Sequence, residues 1–225
     1  ARKAGIQLGL LYYNDNQPEK ALAAYKQVIS NYPGSEEAKI ALQDLKSVYI
    51  DLNDINAYAS YVNSIGGNIR LEVGEQDSLT YIAAEKLFMR GDNDGARRSL
   101  INYLQTFPEG AFSSNANFYL GSIAFAKKEF DEAIQRFKSV IASGDTKFLE
   151  ESVARTAEIE YLSKDYPAAL ESFKRLQIVA ENPENRQAAR LGIMRCALQT
   201  GQQKDALLAA DELLKEPKLS PELEA

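Results

Sequence analysis

The side chains that usually carry catalysis or bind metals are scarce in this chain. Its 225 residues include no histidine, no tryptophan and one cysteine. Without histidine there is no Ser-His-Asp or Cys-His pair and no His-bound metal, and one cysteine allows neither an internal disulfide nor a cysteine-rich zinc site. Carboxylates such as Glu150, Glu151, Glu158 and Glu160 could still do acid–base work. They fall on predicted helical surfaces, where solvated faces are the usual explanation, so we expect no catalytic residue, no metal and no cofactor.

Sequence motifs of other catalytic or binding sites do not occur with the required spacing. The chain has no Ser-x-x-Lys motif, no phosphate loop and no dinucleotide-binding glycine pattern. The segment 91–95, Gly-Asp-Asn-Asp-Gly, is similar in composition to a calcium loop but lacks a glutamate at the twelfth position. We expect it to be a turn between two helices. Cys196 lies in an apolar helical pattern, which favours a buried small hydrophobic residue.

Charge is spread evenly along the sequence. The formal net charge is −6, from 26 basic and 32 acidic residues. Residues 1–112 carry 11 basic and 14 acidic side chains and residues 113–225 carry 15 and 18, so each half contributes −3. Nucleic-acid binding needs a concentrated cationic surface, which this distribution does not supply. The longest uncharged stretch, 110–126, is amphipathic and contains Ser, Asn and Gly, so we expect no membrane insertion.

Side chains that could contact a partner recur at a fixed distance from an alanine. Successive alanines of this set are separated by 36, 39, 37, 36 and 37 residues, and an aromatic residue stands eight positions before each of the first five. An interval of this length indicates an internal repeat. The alanines are Ala21, Ala57, Ala96, Ala133, Ala169 and Ala206, and the aromatic column is Tyr13, Tyr49, Phe88, Phe125 and Tyr161, with Leu198 in the sixth repeat.

Each repeat must position these residues on two helices. In the fourth repeat, apolar residues recur at helical intervals over 115–126 and again over 131–142, with a polar turn between them. One column of the repeat holds only small residues: Gly9, Ala84, Gly121 and Ala157. A glycine inside a helix costs about 1 kcal/mol relative to alanine, so the two glycines indicate that close packing of two helices compensates for this cost.

Strand-like alternation is hardly present, so the sequence predicts an all-α fold. We expect one array over 1–225, with an irregular insertion at 65–77. The insertion is either a linker or a functional segment, a hinge or a docking loop, and it includes a short extended run at Ile69, Leu71 and Val73. The six predicted units are 2–35, 36–64, 78–110, 114–146, 150–183 and 186–218.

The repeat resembles the tetratricopeptide repeat (TPR) family. Unit one carries Leu8-Gly9, Tyr12, Ala21, Tyr25 and Pro33, and unit four carries Leu120-Gly121, Ala133 and Phe137. The resemblance covers roughly residues 3–218. It implies a right-handed α-solenoid of about six TPR-like helix–turn–helix repeats. It also implies a non-catalytic scaffold that binds a protein or peptide partner.

The resemblance further implies that the first helices of the units line a concave groove. The aromatic column is then either part of that groove or packing between helices. A groove with both apolar and charged residues suits a peptide or helix better than a polyanion. Alternatives are glycan or small-molecule binding on a TPR frame, or a helper region of a larger enzyme. The candidate groove residues are Tyr13, Lys46, Tyr49, Tyr81, Glu85, Phe88, Phe118, Phe125, Glu158, Tyr161 and Arg195.

A narrower resemblance lies at residues 107–121, where Phe-Pro-Glu-Gly-Ala-Phe precedes Asn-Ala-Asn-Phe-Tyr-Leu-Gly. This run is similar to the TPR domain of the Tol–Pal-associated cell-division coordinator family. It implies a bacterial cell envelope protein, periplasmic or associated with the outer membrane, with a cytoplasmic location as the alternative. The helical pattern starts near Ala1 without a cap, and Ser220-Pro221-Glu222 is typical of a new helix start, so we expect a piece of a longer protein.

Overall fold

The structure is a computed structural model that describes residues 2–66 and 70–215. Within them the regular structure is helical and no strand occurs, which confirms the all-α prediction. The predicted Ile69 and the helix start at Ser220 lie outside the described residues. The helices are α1 (Arg2–Asn14), α2 (Pro18–Asn31), α3 (Glu36–Asp51), α4 (Ile55–Ile65), α5 (Val73–Met89), α6 (Asn93–Thr106), α7 (Ser113–Ala126), α8 (Phe130–Ser143), α9 (Leu149–Leu162), α10 (Tyr166–Val179), α11 (Pro183–Gln199) and α12 (Gln203–Leu214).

The helices follow one another as the antiparallel pairs of an α-solenoid, α1 with α2 through α11 with α12. They belong to two compact units, Ala1–Ser113 and Ser114–Ala225. We refer to these as the N-terminal unit and the C-terminal unit. The arrangement of the whole chain as one array stays a prediction.

One residue in each turn between paired helices adopts the left-handed backbone conformation. Asparagine and glycine adopt it most readily, and they occupy four of the six turns. The residue after it donates its backbone N–H to a carbonyl five positions earlier, as in Gln17 to Tyr12 (2.8 Å) and Asp54 to Tyr49 (3.0 Å). This turn is therefore a structural marker of the repeat. Its positive-φ residues are Asn16, Asn53, Gly91, Lys128, Lys164 and Gly201.

The marker shows that the predicted alignment of the second repeat is wrong by one residue. In the other five turns the central alanine follows the marker by five positions, but five positions after Asn53 is Tyr58, not Ala57. Tyr58 is 4% exposed and fills the buried position, whereas Ala57 is half-buried. By the same register, Tyr49 is the counterpart of Tyr12 and not of Tyr13.

Close helix packing in the small-residue column is confirmed. A Cβ atom at Gly9 would overlap the ring of Tyr25, and one at Gly121 would lie 2.8 Å from the ring of Phe137. Both aromatic rings belong to the second helix of the same repeat and are buried. The glycines thus let each large ring lie flat against the first helix.

The third repeat begins earlier than predicted. Helix α5 starts at Val73, so Val73 is not part of an extended run and the irregular segment ends before it. The early start brings Asp77, 8% exposed, against the turn that follows α6. Its carboxylate accepts hydrogen bonds from the Tyr103 hydroxyl (2.5 Å) and from the backbone N–H of Ala111 (2.9 Å). The Tyr103 hydroxyl in turn accepts one from the Phe112 N–H (3.0 Å).

Candidate functional site

In the C-terminal unit, the first helices of two consecutive repeats border an open cavity of about 430 Å³. Helices α9 and α11 form its walls and α10 forms its floor. Three of the candidate groove residues line it together, two from α9 and one from α11. The lining residues are Glu151, Ala154, Arg155, Glu158, Tyr161, Leu162, Phe173, Leu176, Asn185, Ala188, Leu191, Gly192 and Arg195.

The α11 wall is held in place by Glu150, the first acidic residue of α9. Its carboxylate accepts the backbone N–H groups of Glu181 (2.9 Å) and Asn182 (3.2 Å) and the side-chain amide of Asn185 (2.7 Å). Burial by itself would raise the pKa of Glu150, but these hydrogen bonds together lower it. Glu150 thus ties the segment before α11 to α9, while Asn182 caps α11 by accepting the Glu184 N–H (2.8 Å). Glu150 therefore fixes the edge of the cavity, rather than being only a solvated surface charge.

On the α9 wall, Arg155 lies between two carboxylates. Its guanidinium donates to Glu151 (2.8 Å) and to Glu158 (2.9 Å) and lies 4.9 Å from the ring centre of Phe125 on α7. Burial alone would lower the pKa of Arg155, but both carboxylates outweigh it and the pKa is raised. The trio carries two negative charges and one positive charge, so this wall has a surplus of one negative charge.

On the α11 wall, Arg195 is exposed and lines the same cavity. Among residues 2–66 and 70–215 its guanidinium has neither a hydrogen bond nor an ion pair. Arg195 is therefore a cation available to a group that enters from outside.

The floor between these walls is apolar. Tyr161 packs edge-on against Phe173, with ring centres 6.4 Å apart, and Leu176 is fully buried beside them. A Cβ atom at Gly192 would overlap the Phe173 ring, so the glycine lets α11 approach closely enough to close the cavity on one side. An apolar floor with polar walls can accept an apolar side chain and orient the residues on either side of it.

Tyr13 and Lys46, predicted for the groove in the N-terminal unit, are engaged with neighbouring helices. Tyr13 donates a hydrogen bond to Asp51, whose carboxylate also pairs with Lys86 and with Arg90 (2.9 Å). The side chain of Asp51 is 13% exposed. Lys46 pairs with Glu75 at 3.1 Å.

Tyr49 and Tyr81 are core residues, which corrects their assignment to an open groove. Tyr49 is 5% exposed, because the one-residue shift turns it toward α4, where its ring lies 6.0 Å from that of Tyr58. Tyr81 is 2% exposed and stacks on Phe112, with ring centres 4.4 Å apart. Its hydroxyl donates to Glu85 (2.5 Å), so Glu85 also has a partner inside the unit.

The remaining aromatic candidates are half-buried. Phe88 lies near the end of α5. Phe118 stacks on Phe148, with ring centres 4.2 Å apart, and also packs near Phe137. Phe125 lies between Phe130 and the Arg155 guanidinium. The rings of Phe118 and Phe125 therefore have contacts inside the C-terminal unit as well as an accessible part.

Sequence reasoning missed Arg155, Asn185 and Phe173. The spacing of Glu151, Arg155 and Glu158 places all three on one helix face, and this signal could have identified Arg155. Asn185 and Phe173 join the site only because α10 and α11 fold against α9, so no local pattern indicates them.

In the described residues, no three or more Cys, Asp or Glu side chains are placed to hold a metal ion. None of the described helices combines the length and apolar character that a bilayer-spanning segment needs. Cys196 is buried, and burial raises the pKa of its thiol. Asp92 caps α6 through the Gly95 N–H (2.9 Å), so the 91–95 segment is the predicted turn between two helices.

Comparisons with known proteins identify the repeat. Family models described as tetratricopeptide repeat match residues 4–35 and residues 83–146. No curated protein sequence matches the chain. The repeats in both matched segments confirm the TPR resemblance, whereas the narrower likeness to the Tol–Pal-associated coordinator stays a prediction.

Several solved structures are similar to this chain. PilW, a widely conserved type IV pilus biogenesis factor, is 15% identical over 99% of this chain and 96% of its own, with a TM-score of 0.51. MamA from AMB-1 is 14% identical over 84% of this chain and 98% of its own, with a TM-score of 0.54. PilF of Pseudomonas aeruginosa is 17% identical over 94% and 90%, with a TM-score of 0.48. At these identities, the likeness to PilW and MamA shows a common fold.

Proposed function

We propose that this chain, whose residues 4–35 and 83–146 are tetratricopeptide repeats, is a non-catalytic interaction scaffold. It binds a peptide or helix of a partner protein on the first helices of its repeats. The observation that carries the proposal is the cavity between α9 and α11, because Glu158, Tyr161 and Arg195 come together there from two consecutive repeats.

The composition of the cavity suits protein recognition. Tyrosine and arginine are enriched among the residues that dominate binding energy at protein interfaces, and they act best beside an apolar region that excludes water. Here Tyr161 and Arg195 line the cavity together with Phe173 of the apolar floor and with Leu191 of the α11 wall. A partner side chain that enters would be desolvated by the floor and oriented by the walls.

We also propose that the protein acts in assembly of the bacterial cell envelope, on its periplasmic or outer-membrane side. The support is the resemblance of residues 107–121 to an envelope TPR family, together with the description of PilW, to which this chain is similar in fold, as a type IV pilus biogenesis factor. Fractionation of cells that produce the full-length protein from its own gene tests the location. Recovery in the cytoplasmic fraction alone would contradict it.

Filling the cavity tests the binding function. Ala188 is exposed on the α11 wall, so Ala188→Trp should block the cavity without removing a core contact. Ala142 is a matched control, because it is an exposed alanine beside a different cavity of the C-terminal unit. The tagged full chain and both variants are used to capture partners from the native organism, with quantification by mass spectrometry.

We expect at least one protein to be captured by the wild type and by Ala142→Trp but lost with Ala188→Trp. Circular dichroism and thermal unfolding should show that both variants are folded. If Ala188→Trp captures the same proteins in the same amounts as the wild type, the cavity is not the binding site.

A further inference from the structure

The two walls of the C-terminal cavity carry opposite charge. On α9, the positive charge of Arg155 is already shared by Glu151 and Glu158, which leaves one negative charge in excess. On α11, Arg195 lines the cavity without an ion-pair partner in the described residues. A chain that binds between these walls would therefore meet a negative side and a positive side.

The space between the walls is suited to side chains. A volume of about 430 Å³ is in the lower part of the range for ligand sites. The Phe173 ring lies at the bottom, beside the fully buried Leu176. A whole helix is about 10–12 Å across, so the cavity takes side chains that project from a partner rather than the partner's backbone core.

We propose that the cavity recognises an internal segment of a partner protein in which an apolar anchor has an acidic residue on one side and a basic residue on the other. This inference rests on the proposed binding function of the cavity. The apolar anchor contacts the floor, and the acidic residue pairs with Arg195. The basic residue faces Glu151 and Glu158, where a second carboxylate would be repelled. The charge pattern thus selects both the partner and its direction across α9 and α11.

The probe is a library of random twelve-residue peptides displayed on phage. Each peptide is joined to the coat protein through its C-terminus, so Arg195 cannot select a free terminal carboxylate. The full chain, Arg195→Glu, Ala188→Trp and Arg175→Glu are screened in parallel. Arg175 is a matched control, since it is an exposed arginine of α10 that lines a separate cavity with Lys138 and Ser172.

We expect peptides enriched on the wild type to contain an apolar residue with an acidic and a basic residue on opposite sides. Selection on Arg195→Glu should lose the acidic preference and enrich basic residues instead. Arg175→Glu should select the wild-type pattern, and Ala188→Trp should enrich none of these peptides. For one enriched peptide made synthetically, Arg195→Glu should weaken binding by roughly tenfold, and exchanging the peptide's acidic residue for lysine should restore it.

The outcomes separate the two proposals. If enriched peptides are lost with Ala188→Trp but show no charge pattern, or if Arg195→Glu selects the same peptides as the wild type, the charge inference is wrong and the binding cavity stands. If enrichment persists with Ala188→Trp, or if no peptide is enriched, both the inference and the cavity as a peptide site are contradicted.

Discussion

The first helices of the repeats carry similar aromatic and charged side chains in both units, but these side chains have different partners. In the N-terminal unit these side chains contact one another. The Asp51 carboxylate accepts a hydrogen bond from Tyr13 and forms ion pairs with Lys86 and Arg90, and Lys46 pairs with Glu75. In the C-terminal unit, Arg195 keeps no such partner in the described residues, and an apolar-floored cavity lies beside it.

A column of aromatic or charged residues therefore does not by itself define a binding surface. The same column contains Tyr13, which ties α1 to α3, and Tyr161, which lines an accessible cavity. What decides the role is whether the adjacent helix supplies a partner. Asp51 supplies one for Tyr13 in the N-terminal unit, whereas in the C-terminal unit Glu151 and Glu158 of α9 are engaged with Arg155 and not with Arg195.

The largest difference in stability between the two units should be seen between Tyr49→Ala and Tyr161→Ala. Tyr49 is buried against α4, so its loss should lower the free energy of unfolding by about 3–5 kcal/mol. Tyr161 is half-buried, so its loss should cost about 1–2 kcal/mol and mainly weaken partner capture. Urea-induced unfolding followed by circular dichroism checks both values. Equal costs would contradict the division into core and cavity.

The next effect concerns the turn after α6. Asp77→Ala would leave the buried Tyr103 hydroxyl and the part-buried Ala111 N–H without their acceptor, which should cost about 2–4 kcal/mol. Binding at the C-terminal cavity should be unchanged under conditions where the variant is folded. The control is Asp145→Ala, a half-buried acidic residue in a loop whose carboxylate accepts one hydrogen bond, from the Lys147 N–H (2.9 Å), and this change should cost about 1 kcal/mol or less. If Asp77→Ala lowers the free energy of unfolding no more than the control does, the hydrogen bonds of Asp77 do not stabilise this turn.

High pH should destabilise the N-terminal unit through its buried tyrosines. Burial raises the pKa of Tyr25 and of Tyr58 to about 12, with smaller contributions from Asp44 and Glu75 respectively. An unfolded tyrosine titrates near pH 10, so the folded state keeps a proton that the unfolded state has lost. The associated stability is complete below about pH 10 and declines as the pH rises toward about 12.

The measurement is the free energy of unfolding between about pH 8 and 11, for the wild type and for Tyr25→Phe with Tyr58→Phe. The double variant should show a shallower alkaline decline. A decline as steep as that of the wild type would mean that these hydroxyls do not carry the effect.

The smallest stability effects should come from Phe88→Ala and Phe125→Ala. Both rings are half-buried, so each change should leave the chain folded. Phe125→Ala removes the ring beneath Arg155, a contact of about 0.5–1 kcal/mol at an exposed site, and should loosen the α9 wall. We expect both variants to weaken partner capture, Phe125→Ala more than Phe88→Ala. Global unfolding of Phe125→Ala, seen by circular dichroism, would place that ring in the core.

Much of the helical repeat could be predicted because its signals are local. The 36- to 39-residue interval and the small residues Gly9 and Gly121 follow from helix periodicity and close packing. The register of the second repeat could not be predicted in this way, because Ala57 and Tyr58 are adjacent in sequence. Only the turn at Asn53 shows which of the two occupies the buried position. An alignment on the turn residues Asn16 and Asn53 would have found the shift.

The site was harder to predict than the fold because it depends on contacts distant in sequence. Glu158, Tyr161 and Arg195 were identified through the resemblance, and the structure brings them together. Whether such side chains are free depends on partners such as Asp51 for Tyr13 and Glu75 for Lys46, which are separated from them by 38 and 29 residues. The periodicity of the sequence does not indicate such pairs.

The most direct test of the account is site-specific photo-crosslinking in cells that produce the full-length protein. A benzophenone amino acid replaces Ala188 on the α11 wall or Ala142 at the separate cavity, one position at a time. We predict a crosslinked partner at position 188 and none at position 142. No adduct at 188, or the same adduct at 142, would contradict the claim that the partner binds in the cavity between α9 and α11.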